Sequence, residues 1–466
     1  MHRRRFLQNI LLGAAAVRAS GVTFTCAAPK RRPNFVFFLI DDMGYADIGC
    51  FGSTFYQTPH IDRLAAQGMR FTSGYAASPV CSPTRTSIMT GRNPARLHLT
   101  NYLVGQRWPE DSPIEPVAWQ HHLPHGEITI AEALKQANYV TAHIGKWHLG
   151  PTAEFWPENQ GFDVNIGGCQ SGAPTDFFWP AWGANPPIEG KQESEYLTDR
   201  LTDEAVKFIG DHRDLPFFLY LSHYAVHRPL QSRADYYEKY AAIADPHNHQ
   251  HNPHYAGMVQ SIDDSVGRIV ETLEQYGLAD DTVIFFTSDN GGLSVIEGPN
   301  TPATSNAPLR DGKGYLYEGG IREPWIVKWP GNVHPNSICD VPVISDDFFP
   351  TILEIAGVTS PQDRIIDGVS ILPLLLGQDR LKRQALHWHY PHYSNQGGRP
   401  GAAIRAGAWK LIHWYEDDAV ELYHLDEDIG ESVNLAEDLP EKTEELGRLL
   451  HRWLDDVGAQ IPAKRG

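Results

Sequence analysis

Cys81-Ser82-Pro83-Thr84-Arg85, with Thr90-Gly91-Arg92 trailing it, joins a potential nucleophile to a guanidinium over one short stretch. Pro83 has a fixed φ and no N–H to satisfy, so it suits the first turn of a helix, and Gly91 suits the C-terminal cap. Residue 81 then stands at a helix N-terminus, where backbone N–H groups and the dipole favour an anion. Arg85 follows one turn on and shares that helical face.

Two other pairs suggest a metal. Asp41-Asp42 and Asp289-Asn290 offer only oxygen ligands, which suits a hard cation, Ca²⁺ or alternatively Mg²⁺, better than Zn²⁺. Lys146 with His148, and His223 with His227, form further polar groups. Each group ends a continuous apolar run: 34–40 before Asp41, 282–287 before Asp289, 139–144 before Lys146 and 216–221 before His223. Such runs are strands buried on both faces.

Helical segments alternate with the runs. Thr58-Pro59 opens a helix that stops near Gly68, and Thr129-Ile130-Ala131-Glu132 forms a capping box. Met258, Ile262, Val266, Ile269 and Leu273 make a helical apolar stripe. The alternation predicts an α/β fold with a large, mostly parallel or mixed sheet sandwiched by helices. Ligands then bind at the carboxyl ends of the strands, where all four polar groups fall.

At 466 residues with 41% apolar content, the chain can bury a large core. Arg3-Arg4-Arg5-Phe6-Leu7, the apolar stretch 10–17 and small residues near Ala27-Ala28 read as an export leader over 1–28. Its consecutive arginines suggest the twin-arginine type, which carries folded proteins; an ordinary secretory signal is the alternative. Either gives a periplasmic or secreted protein, and no segment is long enough to span a bilayer. Losing the leader's four arginines lowers the formal charge from −18 by four, to −22. That argues against a nucleic-acid partner, so any anionic substrate must be held by a local cation and a few converging Lys and Arg side chains. Beyond the leader Cys50, Cys81, Cys169 and Cys339 are too widely spaced for a disulfide framework and are expected as buried thiols.

The stretch C-x-P-[ST]-R with its trailing T-G-R resembles the signature of the type I sulfatases, formylglycine-dependent, arylsulfatase-like enzymes of the alkaline phosphatase superfamily fold. The resemblance extends from about Pro33 to Leu375. It passes through Asp41-Asp42-Met43-Gly44, Gly145-Lys146-Trp147-His148-Leu149-Gly150, Ser288-Asp289-Asn290-Gly291-Gly292, Leu309-Arg310-Asp311-Gly312-Lys313-Gly314 and Glu318-Gly319-Gly320-Ile321-Arg322-Glu323-Pro324. It implies that a formylglycine-generating enzyme oxidises Cys81 to formylglycine (3-oxoalanine), whose hydrated aldehyde is the nucleophile. It also implies that Asp41, Asp42, Asp289 and Asn290 hold the metal, that Arg85 steadies the hydrate, and that Lys146 and Lys313 bind sulfate oxygens. His148 and His227 would be acid/base groups. We expect His227, with Lys313 as competitor, to protonate the leaving alcohol and His148 to act as base for sulfate release.

The expected reaction is hydrolysis of a sulfate monoester, with a sulfated carbohydrate as the substrate class that export and the family resemblance favour over another sulfated small molecule. Alternatives are a formylglycine-dependent phosphonate or phosphodiester hydrolase, and a non-catalytic sulfoglycan-binding protein. Lys146, His148 and Lys313 in their sulfatase contexts argue against the first. The filling of every expected catalytic position argues against the second. Residues 33–375 are read as the catalytic domain and 376–466 as a C-terminal α+β subdomain, with short strands near 386–390, 403–405, 409–414 and 421–425 and a helix from Pro440 to about Gly458. In this segment Tyr390, His392 and Arg399 are candidate substrate contacts. His247, His249, His251 and His254 are expected in a solvated loop, and Trp147 as packing beneath the site.

Overall fold

A computed structural model describes residues 32–465 except 104, 106 and 107, so the expected leader lies outside the described residues. The apolar runs form the spine of a nine-stranded sheet. Its strands are β1 (Asn34–Ile40), β2 (Met69–Tyr75), β3 (Val140–Gly145), β4 (Val164–Ile166), β5 (Phe217–Ser222), β6 (Thr282–Ser288), β7 (Arg322–Lys328), β8 (Ser337–Cys339) and β9 (Val343–Ile344). The order is β4-β3-β5-β1-β6-β7-β2-β8, with β9 beside β2. The block β4-β3-β5-β1-β6 is parallel throughout, and β7 runs antiparallel to both β6 and β2.

Side chains alternate across a strand, and β1 serves both faces. Val36, Phe38 and Ile40 enter the core beneath α1 (Pro59–Ala66), α5 (Leu197–Asp211), α6 (Ala234–Ala241) and α7 (Pro253–Gln275). Phe35, Phe37 and Leu39 enter the opposite core, with α2 (Cys81–Thr90), α4 (Ile130–Lys135), α9 (Phe348–Ala356) and α10 (Leu372–Leu375). Each such side chain contributes about 1.5–3 kcal/mol on burial. The expected stripe from Met258 to Leu273 is buried along α7, and both halves of the Thr129–Glu132 capping box form.

A second, four-stranded antiparallel sheet follows: β10 (Leu386–Tyr390), β11 (Gly401–Ala406), β12 (Trp409–Trp414) and β13 (Val420–His424). One face packs Trp388, Ala403 and Ile412 against Tyr75 and Val80 of the main sheet side. The other packs Ala402, Ile404 and Leu411 against Leu446, Leu450 and Leu454 of α11 (Pro440–Val457). Short helices α3 (Pro94–Leu97) and α8 (Glu318–Ile321) complete the set. Among the described residues, no helix is long and apolar enough to cross a membrane. Cys50, Cys81, Cys169 and Cys339 are free thiols, though Cys50 is only partly buried.

Candidate active site

Register brings the polar strand ends together. Ile40 lies beside Ser288, Leu39 beside Ser222, and Ser222 beside Gly145, so the residues after β3, β5, β1 and β6 emerge side by side. Asp42 takes a left-handed conformation (φ 62°), which turns the chain sharply at the end of β1. Asp47 braces that turn by accepting from Gly44 N (2.8 Å) and Thr304 Oγ1 (2.7 Å).

Helix α2 runs from Cys81 to Thr90 and is capped by Gly91 (φ 67°), whose N–H donates to Ser87 O (2.8 Å). Cys81 Sγ lies 3.3 Å from His148 Nδ1. Ser82 Oγ donates to His148 O (2.9 Å) and accepts from Leu103 N (3.1 Å), fixing the His148 backbone at its own left-handed turn (φ 58°). Arg85 is fully buried. It faces the acids: Nε donates to Asp289 Oδ2 (2.8 Å), and Nη1 to Lys146 O (2.8 Å) and Ser222 Oγ (2.6 Å). Its guanidinium thus ties α2 to the ends of β3, β5 and β6.

Lys146 Nζ donates to both oxygens of Asp41 (2.9 and 2.8 Å), and Lys313 Nζ lies 2.8 Å from each oxygen of Asp42. Asn290 Nδ2 donates to Asp42 Oδ1 (2.8 Å), and Asp42 N donates to Asp289 Oδ1 (3.2 Å). His227 Nε2 lies 3.6 Å from Asp42 Oδ2, and its Nδ1 lies 2.7 Å from Arg228 O. These contacts join eight of the ten expected residues; Cys81 and His148 pair with each other and line the same cavity as His227 and Lys313. Trp147 is buried, stacked edge-on to His143 and Phe162, with Nε1 donating to Phe155 O.

Burial penalises charge throughout the cluster, and local partners decide the outcome. Burial pushes Asp41 up to about 8, against the pull of Lys146. At Asp42 burial acts the same way, but Lys313 and His227 outweigh it and hold this carboxyl below the usual range. Burial and the flanking Lys146 push His148 well below its ordinary value; burial and Lys313 do the same to His227. Asp42 outweighs burial at Lys313 and keeps its ammonium charged. Burial raises the Cys81 thiol despite Lys146 and Lys313.

The residues fit a hard cation. Ligand atoms of Asp41, Asp42 and His227 lie within 4.8 Å of one another, Asp289 adjoins them, and the buried Asn290 Oδ1 has no hydrogen-bond partner. An oxygen-rich set with an orphaned carbonyl oxygen is what Ca²⁺ or Mg²⁺ requires. His227 was not expected among these groups.

Cys81, His148, His227 and Lys313 line a cavity of about 400 Å³, together with Tyr102, Leu103, Gln170, Ser171, Asn185, Arg228, Glu297, Asn395 and Gln396. The expected substrate contacts are corrected here. Tyr390 is buried in the core under the small sheet, His392 Nε2 pairs with Thr100 Oγ1 (2.8 Å), and Arg399 pairs with Glu416 and Asp417. None lines the cavity; Asn395 and Gln396 of the same loop do. The loop containing His247, His249 and His251 lies exposed between α6 and α7, and His249, His251 and His254 line a separate cavity of about 340 Å³.

The fold is thus a doubly covered α/β sheet with a cluster of buried acids, lysines, an arginine and histidines at its carboxyl edge, where such sheets bind ligands. The family model described as Sulfatase matches residues 33–358, and one described as N-sulphoglucosamine sulphohydrolase, C-terminal, matches 311–460. The chain belongs to the sulfatase family and is a sulfuric ester hydrolase. It is 34% identical over 413 residues to N-acetylgalactosamine-6-sulfatase of Mus musculus, covering 85% of this chain and 74% of that protein. It is 32% identical over 481 residues to steryl-sulfatase of Rattus norvegicus, covering 86% and 80%. Among solved structures, Ps i-CgsB in complex with k-i-k-neocarrahexaose superposes with a TM-score of 0.77 at 29% identity, over 91% of this chain and 93% of that one.

Proposed function

We propose that this sulfatase hydrolyses a sulfate monoester of a saccharide with a formylglycine nucleophile derived from Cys81 and a divalent cation held by Asp41, Asp42, Asp289 and Asn290. The observation that carries the reading is Cys81 at the N-terminus of α2, 3.3 Å from His148 and opening into the cavity beside Lys313. Left as a thiol, residue 81 is a poor nucleophile, because burial disfavours its thiolate. The formylglycine hydrate would supply one hydroxyl to attack sulfur and a second whose deprotonation releases sulfate. The cation would draw charge from a sulfate oxygen and acidify the attacking hydroxyl.

The protein's own groups do the rest. Lys146 and Lys313 present ammonium groups to sulfate oxygens, where negative charge grows in the transition state. His148, uncharged, has a ring nitrogen beside residue 81 and takes the proton during release. Protonation of the leaving alcohol falls to His227 or Lys313. Both groups line the cavity beside Asp42, so either can reach a leaving oxygen there.

Similarity alone does not choose the substrate, since the steryl-sulfatase relative is nearly as similar as the N-acetylgalactosamine-6-sulfatase. The wall of the cavity favours the sugar. Gln170, Asn185, Asn395 and Gln396 offer amides to hydroxyl groups, and a site built to pair hydroxyls discriminates strongly against ligands that lack them. With the leader, the setting is periplasmic or secreted. Mass spectrometry of the peptide spanning residue 81, from protein co-expressed with a formylglycine-generating enzyme, tests the nucleophile. Loss of sulfur at residue 81 is expected; an unmodified cysteine in fully active protein would sink the assignment.

A further inference from the structure

Beyond the Cys81 end, the cavity wall is organised by one residue from the loop after β6. Glu297 Oε1 accepts from Arg228 Nη2 (3.1 Å) and from Asn395 Nδ2, and Glu297 Oε2 accepts from Gln396 Nε2 (2.8 Å). The carboxylate is itself fixed. Glu297 N donates to Thr301 Oγ1 (2.8 Å), and the side chain is only 16% exposed. The Gln396 amide is oriented from its other end, where Oε1 accepts from Ser394 Oγ (2.5 Å) and its backbone carbonyl from Tyr315 Oη (2.7 Å). One carboxylate therefore clasps three loops: the one after β5, directly beyond His227; its own; and the one between β10 and β11.

Two consequences follow from charge. Among the described residues lining this cavity Glu297 is the one carboxylate, and it pairs with Arg228 on the same wall. The remaining lysine, Lys313, is committed to the sulfate end through Asp42. Glu297, Arg228, His227 and Ala173 also line an adjoining cavity of about 470 Å³, so a ligand reaching from one cavity into the other passes the clasp.

We infer that Glu297 sets leaving-group specificity: it holds Arg228, Asn395 and Gln396 as a net-neutral, hydroxyl-binding wall that accepts a sugar bearing the single sulfate to be cleaved and rejects one with a second sulfate or a carboxylate beside it. The inference rests on the saccharide reading above. A second anion at this wall would meet a largely buried carboxylate and, among the described lining residues, no cation without an acidic partner, which costs affinity without touching the chemistry at sulfur. Glu297→Gln keeps the size and can still accept a hydrogen bond, but it leaves Arg228 uncompensated and converts the wall to an anion acceptor. Asn395→Asp, at an exposed side chain, adds a second carboxylate and acts in the opposite sense.

The test compares wild type, Glu297→Gln and Asn395→Asp on matched mono- and disulfated galactose, glucosamine and N-acetylgalactosamine, with 4-nitrophenyl sulfate alongside. The quantity read is the ratio of kcat/KM for disulfated over monosulfated sugar, which cancels any general loss of active protein. Wild type should favour the monosulfates. Glu297→Gln should raise the ratio about tenfold or more, mainly through KM of the disulfate, and Asn395→Asp should lower it about threefold. Opposite signs from the two variants are not what a merely structural disturbance gives, and if Glu297→Gln fails to fold, Asn395→Asp carries the test. A wild type that prefers disulfates, or ratios that move less than about twofold in both variants, would overturn the role of Glu297 while leaving the saccharide reading intact. Cleavage of 4-nitrophenyl sulfate with no turnover of any sugar sulfate would overturn both.

Discussion

Two regions of this molecule use the same buried chemistry to different ends. At the carboxyl edge of the main sheet, Lys146 and Lys313 pair with Asp41 and Asp42. Under the small sheet, Lys410 Nζ, fully buried on β12, lies 3.0 Å from Glu318 Oε1 and 2.8 Å from Glu431 Oε1. Glu318 Oε2 further accepts from Tyr75 Oη (2.6 Å) and Arg322 Nη1 (3.1 Å), and Glu318 N donates to Glu431 Oε2 (2.6 Å). The second cluster is a strut that fixes α8, and with it the chain following Lys313, against β12. The first opens onto a cavity and keeps an orphaned oxygen on Asn290. What separates a site from a strut is therefore access, since a buried ion pair sealed by its neighbours has nothing to exchange its partners with.

The largest expected effect leaves both clusters in place. Cys81→Ser should lower kcat/KM by about ten-thousandfold or more with an unchanged melting temperature, because a serine lacks the second hydroxyl. A modest loss on aryl sulfates would break the claim that the strand-end cluster serves residue 81. The sharpest test of the comparison pairs Lys313→Met with Lys410→Met. The first should cost about a hundred- to a thousandfold in kcat/KM. The second should cost about 3–5 kcal/mol in denaturant unfolding, by stranding two buried carboxylates, while the folded fraction keeps its activity. If the two variants show the same pattern, access does not distinguish the regions.

Cation removal comes next. Chelation should lower both activity and melting temperature, and Ca²⁺ or Mg²⁺ should restore them; at a hundred times Kd the linkage amounts to about 2.7 kcal/mol. That shift should vanish in Asp289→Asn and persist in Lys410→Met, read by calorimetry without any substrate. The smallest effect concerns protons. Burial and Glu318 raise Glu431 from 4.5 to about 7, with Lys410 opposing. A raised carboxyl stabilises fully below its unfolded pKa, and the contribution is lost as pH rises through the folded one. The melting temperature of Glu431→Gln relative to wild type should therefore climb between about pH 5 and pH 8. A flat difference would place the shared proton elsewhere.

Much of the site was legible because buried parallel strands are continuous apolar runs, and the residue types that end them carry the chemistry. Asp41, Asp289, Lys146 and His227 could be placed at one edge before any contact was known. The leaving-group wall was not legible. Gln170, Glu297, Asn395 and Gln396 lie in loops without periodicity, and amides carry no signal of their own. The family resemblance at this end of the chain pointed instead to Tyr390, His392 and Arg399, which are engaged elsewhere: Tyr390 fills the core of the small sheet, His392 pairs with Thr100, and Arg399 pairs with Glu416 and Asp417.

Side-chain type and spacing alone determined four buried strands of the main sheet and the helix that presents Cys81, and the motif resemblance supplied the family, since each depends on local period or on residues close together in the chain. Tertiary structure alone decided that Arg85 locks onto Asp289, that Lys313 faces a cavity while Lys410 does not, and that Glu297 gathers Arg228, Asn395 and Gln396 into one wall. Those choices join residues far apart in the chain. Their partners are fixed only when the sheet register and the packing of the second sheet set which groups are sealed and which meet a ligand.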